Sequence, residues 1–437
     1  MEKNTNNMDK IVSLCKRRGF IYPGSEIYGG LASTYDYGPL GIELKNNIKR
    51  IWWKFFVQDR EDIVGLDGGI ILSPKVWEAS GHVNEFKDPL VECKKCHHRF
   101  RPDKLKIKVC PDCGGELTKE KLFSGMFETT IGPIKEEGIL TYLRPETAQA
   151  IFINFNNILN STNIKLPFGI AQTGKAFRNE ITTGNLTFRT IEFEQMEIEY
   201  FISPKSDWKK IYNNFLKDLH AYAEMVGIPN QSLFDHDIPE KERAHYSKKT
   251  IDIEYQWPFG QDELWGLAYR TDYDLRKHSE FSEQTLDYFD EETREKFIPH
   301  VIEPSLGVDR TMLAVLASAY DEEALAGGDV RIVLRLKPDV APYKVAVFPL
   351  LKNKPDIVKK ARELYVELKE TFPTFWDERG NIGKRYRYQD EVGTPFCVTI
   401  DFDTLESGSV TVRDRDTMKQ VRVDVNKLKL WLQSNLQ

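Results

Sequence analysis

The chain has 437 residues, a net charge of −6 and an apolar fraction of 41%, which suffices for two or three domains with their own cores. The weak acidic charge argues against a protein that binds nucleic acid over its whole surface. No N-terminal apolar run has the length of a signal peptide, and no stretch reaches the roughly 18 apolar residues of a membrane helix. We therefore expect a soluble, cytoplasmic protein that spans no membrane.

The first part of the chain alternates helical patterns with a segment rich in Gly, Tyr and Pro. The spacing of apolar residues predicts helices over 8–18 and 40–58. Glycines and prolines in 22–39 indicate loop and short strand between them. A strand is predicted over 63–73, ending at Pro74.

Four cysteines follow in two Cys-x-x-Cys pairs, with thirteen residues between the pairs. Each pair can present two thiolates, and four thiolates complete a tetrahedral zinc site, closed and therefore structural. Gly114 and Gly115 follow the second pair, where a chain that wraps a metal needs positive φ. Four reduced surface thiols are the alternative. The basic residues within 94–108 either contact RNA or form a solvated face. The expected zinc ligands are Cys93, Cys96, Cys110 and Cys113.

Residues 174–201 predict two strands joined by a polar loop, the second strand over 188–198. Because side chains alternate along a strand, one face should carry Arg189, Ile191, Phe193, Gln195 and Glu197. Arginines suit polyphosphate, a phenyl ring stacks on a base, and a buried carboxylate holds an ammonium group. A charged edge hairpin is the alternative.

The segments after the hairpin contain further charged residues at the ends of predicted elements. We predict helices over 208–226, 239–247 and 311–320, and strands over 250–257, 262–272 and 297–302. Arg144-Pro145-Glu146 precedes a helix predicted over 148–159, where proline and glutamate also fit ordinary capping. Arg310 begins the helix after Gly307, near its positive end.

Residues 326–341 mark a candidate domain boundary, with Gly327, Gly328 and Pro338. Alternating strands and helices after it indicate a compact mixed α/β domain. The predicted strands are 343–348, 375–377, 397–402 and 409–413, and the predicted helices are 354–371, 382–390 and 425–434.

Together these motifs resemble the class II aminoacyl-tRNA synthetases, and in particular the homodimeric glycyl-tRNA synthetases. The hairpin carries Arg-x-Glu, a loop and Phe-Arg-x-x-x-Phe-x-x-x-Glu, and the later helix begins with Gly-x-Asp-Arg. The segments RPETAQ, EQME and GLAYRTDYDL match as well. The resemblance implies an α+β fold, with an antiparallel-sheet catalytic domain over 1–335, a zinc-ribbon-like insertion at 90–120 and a mixed α/β anticodon-binding domain over 340–437.

The same resemblance implies activation of glycine by ATP, with Mg²⁺, and transfer of glycine to the 3′ end of tRNA(Gly). It also implies a homodimer, whose interface the first long helix and strand would form. Glycine is the smallest amino acid, so a tight wall rejects larger substrates and no editing domain is expected.

The resemblance also assigns roles to residues. Arg178, Arg310 and Glu180 are the expected catalytic residues, and Glu263 and Glu303 the expected magnesium ligands. The expected ATP-binding residues are Arg178, Asn179, Glu180, Phe188, Arg189, Thr190, Ile191, Glu192, Phe193, Glu263, Leu264, Gly307, Val308, Asp309 and Arg310. The expected glycine-binding residues are Arg101, Glu146, Phe193, Glu194, Gln195, Met196, Glu197, Arg270, Glu303, Pro304, Ser305, Leu306 and Gly307.

Two other functions are alternatives to glycine activation. A synthetase-like protein that no longer activates an amino acid usually lacks the phosphate arginines, but Arg178, Arg189 and Arg310 are all present here. A class II enzyme for proline, threonine or histidine would share the C-terminal domain, but the RPETAQ and EQME segments favour glycine.

Overall fold

The computed structural model describes residues 2–102, 105, 107–180 and 184–436, and the elements below belong to that part of the chain. The α-helices are α1 (Glu2–Arg18), α2 (Pro39–Trp53), α3 (Pro74–Ala79), α4 (His82–Glu85), α5 (Ala148–Ile153), α6 (Phe155–Thr162), α7 (Trp208–Val226), α8 (Tyr273–Ser282), α9 (Val308–Ala319), α10 (Pro355–Lys369), α11 (Ile382–Val392), α12 (Phe402–Ser407) and α13 (Val425–Asn435).

The strands of the first two thirds of the chain are β1 (Ile21–Pro23), β2 (Tyr35–Tyr37), β3 (Ile63–Gly65), β4 (Lys87–Glu92), β5 (Arg99–Phe100), β6 (Lys121–Ser124), β7 (Phe127–Ile131), β8 (Ile139–Leu143), β9 (Phe168–Phe177), β10 (Glu192–Ile202), β11 (Leu233–Asp237), β12 (Lys249–Trp257), β13 (Gly260–Thr271), β14 (Tyr288–Phe289) and β15 (Lys296–Phe297). The remaining strands are β16 (His300–Gly307), β17 (Tyr320–Ala324), β18 (Val330–Leu334), β19 (Val345–Pro349), β20 (Thr374–Trp376), β21 (Phe396–Ile400), β22 (Ser409–Asp414) and β23 (Gln420–Asp424).

The largest sheet has seven strands in the order β11-β12-β13-β16-β10-β9-β3. Its strands are antiparallel, except that β3 runs parallel to β9 at one edge. In this register Glu197 on β10 lies opposite Ser305 on β16, and Ser305 lies opposite Gly266 on β13. The hairpin thus joins β16 at the centre of the sheet.

The alternation along β10 separates a packed face from a polar face. Met196 and Ile198 belong to a core cluster that also contains residues of α2, α7 and α9. Gln195 and Glu197 point the other way, because successive side chains of a strand alternate. The helices therefore cover one face of the sheet, and the charged side chains lie on the opposite face.

A second, five-stranded sheet has the order β20-β19-β21-β22-β23, with β19 parallel to both β20 and β21. Leu364 of α10 and Leu428 of α13 pack with Val345 and Val347 in its main core. The mixed α/β arrangement expected for the last part of the chain is confirmed.

Several predicted elements differ from the structure. The helix predicted over 239–247 is wrong, since these residues form turns in which Arg243 donates hydrogen bonds to two backbone carbonyls. The strand predicted over 63–73 is wrong beyond Gly65. The strand predicted from Phe188 begins only at Glu192, because Phe188 ends a 3-10 turn and packs edge-on against aromatic rings of another segment.

The later elements hold further differences. The strand predicted over 297–302 is divided into β15 and β16. The boundary segment 326–341 contains β18, and Val340 and Ala341 are buried in the core of the large sheet. Helix α8, helix α12 and strand β23 were not predicted. Residues 103, 104 and 106 of the basic stretch and 181–183 of the hairpin loop lie outside the described residues.

Candidate active site

The polar face of the large sheet holds a groove with two connected compartments. The cationic compartment, of about 160 Å³, is lined by Arg178, Glu180, Thr187, Phe188, Arg189, Thr190, Phe193, Gln195, Glu263, Leu264, Gly266, Ser305, Gly307, Asp309 and Arg310. The acidic compartment, of about 360 Å³, is lined by Glu146, Arg178, Gln195, Glu197, Ile238, Glu242, Arg243, Ala244, Tyr246, Thr250, Asp252, Gly266, Leu267, Ala268, Glu303 and Ser305. Arg178, Gln195, Gly266 and Ser305 line both, so one ligand can reach from one compartment into the other.

Arginines from three segments converge on the cationic compartment. Arg178, just after β9, donates from Nε to the Pro145 carbonyl (3.0 Å), and its Cζ lies 5.3 Å from the centre of the Phe193 ring. Arg310, in the first turn of α9, donates from Nε to the Phe188 carbonyl (3.0 Å) and pairs with Glu263 (3.1 Å). The three arginines, including Arg189, are only half-buried. Cations beside aromatic rings form a surface suited to a nucleotide.

The electrostatics of Glu263 follow from these arginines. Arg310 beside it is the main cause that lowers the pKa of the Glu263 carboxyl, against the opposing effect of burial. Glu263 is therefore ionised, and a carboxylate beside a phosphate-binding surface is the donor that Mg²⁺ prefers.

A buried lysine on α2 supports this compartment from behind. Lys45 Nζ donates to Asp309 Oδ1 (2.9 Å) and lies 3.2 Å from Glu194 Oε2, while only 3% of its side chain is exposed. Asp309 also accepts from the backbone N–H of Glu194 (2.6 Å) and from the hydroxyl of Tyr37. Helix α2 is thereby tied to β10 and to the residue that precedes Arg310.

The acidic compartment is built from buried carboxyl groups. Glu197 accepts hydrogen bonds from the hydroxyls of Ser305 (2.7 Å) and Thr147. Glu146 accepts from Gln149 (2.8 Å) and lies 3.4 Å from His82. Among the described residues, every hydrogen-bond donor to Glu197 is neutral, so this buried carboxylate suits a cationic ligand.

Burial raises the pKa of each of these carboxyls, and neighbouring charges decide the net direction of the shift. Burial and the nearby Glu146 raise the pKa of Glu197 above its usual value. Burial also raises the pKa of Glu303, to about 8, although Arg270 opposes that shift. For Glu146 burial is outweighed by His82 and Arg270, which lower its pKa below the usual range. The pair Glu146 and Glu197 thus contains one firmly ionised group beside one that ionises less readily.

Arg270 organises the floor of the acidic compartment. Its Nε and Nη2 donate to the two oxygens of Asp274 (2.8 Å each), and its Nη1 donates to Glu303 (2.9 Å). A guanidinium group has five N–H donors, so these three bonds leave two of them for other partners. Asp274 follows Arg270 by four residues, where strand β13 has given way to α8.

Glu199 is a further carboxyl that the sequence analysis did not single out. It follows Glu197 by two residues on the same face of β10, and both of its carboxylate oxygens are buried without a hydrogen-bond partner. Burial, with Glu303 nearby, raises its pKa well above the usual value. Burial therefore disfavours the ionised form of this carboxyl.

Not every residue expected at the site lines a compartment. Val308, Met196, Pro304 and Leu306 are buried beside the lining, with Met196 and Leu306 in the core. Asn179 and Ile191 make backbone hydrogen bonds to Gly125 and Ser33, and Glu192 pairs with Lys175. Glu194 faces Lys45 and Lys49, on the opposite side of β10.

Two expected groupings are also separated. The two expected magnesium ligands line different compartments, Glu263 the cationic one and Glu303 the acidic one. Arg101 lies beyond β5 in the cysteine-rich insertion, where it pairs with Asp88 (3.1 Å), and it is not among the residues that line either compartment.

The sequence analysis missed Lys45, Asp274 and the lining residues between β11 and β12. Lys45 and Lys49 are one helical turn apart on α2, which was the available signal. Asp274 stands inside the GLAYRTDYDL segment. No sequence pattern indicated Tyr246 as a site residue, because its segment was interpreted as a helix.

The four cysteines of the insertion converge as predicted. Their Sγ atoms all lie within 4.8 Å of one another, with 3.5 Å between Cys93 and Cys113 and between Cys96 and Cys110. Tetrahedral zinc with Zn–S bonds of about 2.3 Å places its sulfurs about 3.7 Å apart. Backbone N–H groups of Cys96 and Lys95 point at Cys93 Sγ and lower its thiol pKa to about 6. The cluster therefore fits zinc.

The two glycines after the second cysteine pair are required for different reasons. Gly114 has a φ of 69°, the left-handed conformation that was expected. Gly115 is required by space instead, because a Cβ atom there would lie 2.8 Å from Cys93 Sγ.

Comparison with protein families gives two matches. Residues 130–319, which contain β9, β10, β13, β16 and α9, match the tRNA synthetase class II core domain (G, H, P, S and T). Residues 344–435, which contain the five-stranded sheet, match the anticodon binding domain. Within the described residues, no helix is long and apolar enough to cross a membrane.

Similar proteins extend this match over the whole chain. The chain is 51% identical to the glycine–tRNA ligase of Clostridium beijerinckii, with 98% of each chain covered. It is 51% identical to that of Thermobifida fusca, over 100% of this chain and 99% of the relative. It is likewise 51% identical to that of Treponema denticola, over 98% of this chain and 97% of the relative. Identity at this level along both chains, together with the class II core, means that the chain belongs to the glycine–tRNA ligase family of class II aminoacyl-tRNA synthetases.

Proposed function

We propose that this chain activates glycine with ATP to form glycyl-adenylate and then transfers glycine to the 3′ end of tRNA(Gly). The observation that carries the proposal is the junction of the two compartments at Arg178. A cationic surface suits the triphosphate, and a carboxylate-lined cavity suits an ammonium group. The two substrates would therefore meet at one arginine.

In the first step a carboxylate oxygen of glycine attacks the α-phosphorus of ATP. A new P–O bond forms, and the bond to the β,γ-phosphates breaks, so that pyrophosphate leaves with the electron pair. Arg178 would hold the α-phosphate and the attacking carboxylate together, while its charge stabilises the transition state. Transfer then occurs when a ribose hydroxyl of the terminal adenosine attacks the carbonyl carbon and AMP leaves.

Nucleotide binding would use the remaining lining of the cationic compartment. Phe193 would stack on one face of adenine and Arg310 would cover the other, with Arg189 toward the γ-phosphate. Glu180 would orient the base. Glu263 would hold Mg²⁺, which neutralises phosphate charge when bound. Glu303, the other expected magnesium ligand, accepts a hydrogen bond from Arg270 in the acidic compartment, so Glu263 is the ligand that lies beside the arginines.

Glycine recognition would use the acidic compartment. Glu146 and Glu197 would surround the ammonium group, helped by the Ser305 hydroxyl. The two remaining N–H donors of Arg270 would contribute to holding the carboxylate. Asp274 would fix the orientation of Arg270 through the bidentate pair.

The decisive experiment is ATP–pyrophosphate exchange with each of the twenty amino acids. Exchange with glycine alone is the expected result. Exchange with another amino acid would keep the fold and refute the assignment of the acidic compartment. No exchange, even with added magnesium and zinc, would favour a protein that has lost the activation reaction.

We further propose that the four cysteines hold one structural zinc ion. Metal analysis of the purified protein should find one zinc per chain. Cys96→Ser should lower that content, whereas Cys397→Ala, in the other domain, should leave it unchanged. Equal zinc content in both variants would refute the site.

The proposal extends to the domains, the oligomeric state and the location of the protein. We propose a catalytic domain over 1–335 and an anticodon-binding domain over 340–437, which would contact the anticodon of tRNA(Gly). We propose a homodimer, because β3 is an edge strand of the large sheet and its Gly65 lies against the Trp53 ring of α2. Sedimentation of the full chain tests it. An enzyme that charges tRNA works beside the ribosome, so we propose a cytoplasmic location.

A further inference from the structure

A segment without regular secondary structure covers the acidic compartment. This covering segment, residues 238–247, connects β11 to β12, and five of its residues line the cavity. It is held at several points. Before Tyr246, His245 Nδ1 lies 2.7 Å from a carboxylate oxygen of Glu85, and after it the Ser247 hydroxyl lies 2.7 Å from the hydroxyl of Thr250 in β12. The cover is therefore anchored to the protein on both sides of Tyr246.

The ring of Tyr246 lies against the guanidinium group of Arg270, which organises the floor. The Cζ atom of Arg270 is 3.8 Å from the centre of the Tyr246 ring. The bonds from Arg270 to Asp274 and Glu303 engage the edges of the guanidinium, but they leave its faces open. The Tyr246 ring is the nearer of two aromatic rings beside this group, since the centre of the Phe152 ring is 5.4 Å from Arg270 Cζ, and a ring this close restricts tilting of the guanidinium.

Tyr246 also contributes directly to the wall of the compartment. The floor carries Glu197, Ser305 and Gly266, which belong to the sheet. In the proposed pose the ammonium group of the substrate would lie on Glu197 and its carboxylate near Arg178 and Arg270, so the hydrogens of the α-carbon would face the covering segment. A methyl group in that direction would meet the Tyr246 side of the cavity.

We propose that Tyr246 is a positioning and specificity-determining residue for the amino acid, which holds the Arg270 guanidinium in place and closes the compartment against substrates larger than glycine. This inference rests on the proposed function of the site. It assigns the rejection of alanine to a residue outside the hairpin and outside the segments that resemble the family motifs.

The test is ATP–pyrophosphate exchange with glycine and with alanine, on the full chain and three variants. Tyr246→Phe keeps the ring and should stay within about twofold of the wild type. Tyr246→Ala removes both the stack and the wall. It should raise the KM for glycine at least tenfold, leave the KM for ATP nearly unchanged, and lower the glycine-to-alanine ratio of kcat/KM by about 10- to 200-fold, the range for one methylene group in a pocket.

Tyr246→Leu separates the two roles. It keeps apolar bulk without an aromatic face, so we expect a raised KM for glycine with alanine still rejected. Thermal melts report folding, and if the alanine variant does not fold, the leucine and phenylalanine variants carry the test. An unchanged glycine KM in both Tyr246→Ala and Tyr246→Leu would overturn the inference. Wild-type enzyme that does not exchange with glycine would instead overturn the proposed function, and the inference with it.

Discussion

The two compartments of the site differ in how their charged groups are stabilised. In the cationic compartment the arginines are half-buried, so water reduces the cost of holding them together. In the acidic compartment Glu197 and Arg270 are each 1% exposed, and every charge needs a partner. The difference suggests that the nucleotide side tolerates change in single contacts, whereas the amino-acid side responds as a unit.

The largest effect is expected where the two compartments meet. Arg178→Ala should reduce kcat in ATP–pyrophosphate exchange by about 100- to 1000-fold, because it removes the group that we propose holds both reacting atoms. Arg178→Lys keeps the charge without the planar fork and should recover part of the loss. A similar kcat for the alanine variant and the wild type would show that the compartments do not act through this residue.

Within the acidic compartment, Glu197→Gln should raise the KM for glycine by about 10- to 100-fold, since one charge-assisted bond to the ammonium is lost. The KM for ATP should change much less. The shape is conserved, but Ser305 and Thr147 donate to different oxygens of Glu197, so the single amide oxygen can keep only one of these bonds and the amide N–H would donate to the other hydroxyl. Glu280→Gln, on the exposed part of α8, is the matched control and should leave both constants unchanged. An unchanged glycine KM in Glu197→Gln would contradict the ammonium assignment.

Gly266 lines both compartments, and a substitution there tests substrate binding without disturbing the fold. A Cβ atom on Gly266 would meet no protein atom within 4 Å, so Gly266→Ala can be accommodated by the protein itself. The methyl group would project into space that both compartments share, and we expect the KM for glycine to rise roughly 20-fold. A normal melting temperature with normal kinetics would mean that the substrates do not pass over Gly266.

The support behind the cationic compartment should have a smaller effect. Lys45→Met leaves Asp309 and Glu194 without their buried cation, which lets the start of α9 shift. We expect a roughly fivefold rise in the KM for ATP and a lower melting temperature. Lys49→Met removes a more exposed partner of Glu194 and serves as the comparison. If both variants change the ATP KM equally, the buried position of Lys45 has no special role.

The smallest effect is a pH dependence that belongs to the acidic compartment alone. Burial raises the pKa of Glu303 from 4.5 to about 8, so between these values the folded chain holds a proton that the unfolded chain has lost. The free energy of unfolding therefore falls as pH rises through this window. Melting temperatures should fall by a few degrees from pH 6 to pH 8, and Glu303→Gln should make the slope shallower, leaving the part due to Glu197 and Glu199, whose pKa values burial also raises. A slope in the variant as steep as in the wild type would assign it to other groups.

Much of the site could be predicted because its residues lie on one hairpin and one strand–helix junction. A two-residue alternation places Phe193, Gln195 and Glu197 on one face wherever β10 pairs. Four cysteines in two tight pairs similarly determine a compact cluster. The predicted start of β10 was four residues too early, because Phe188 packs against Trp257 and Phe259 from a distant part of the chain.

The sequence by itself determined the class of fold, the cysteine cluster and the main charged residues of the site, since each of these depends on local spacing or on a motif. Only the tertiary structure decided that Lys45 supports the cationic compartment from another helix, and that Glu303 belongs with Arg270 and not with Glu263. Residues 239–247, which were predicted to form a helix, belong instead to the covering segment of the acidic compartment. Such contacts join residues far apart in the chain, and no local pattern encodes which of them will meet.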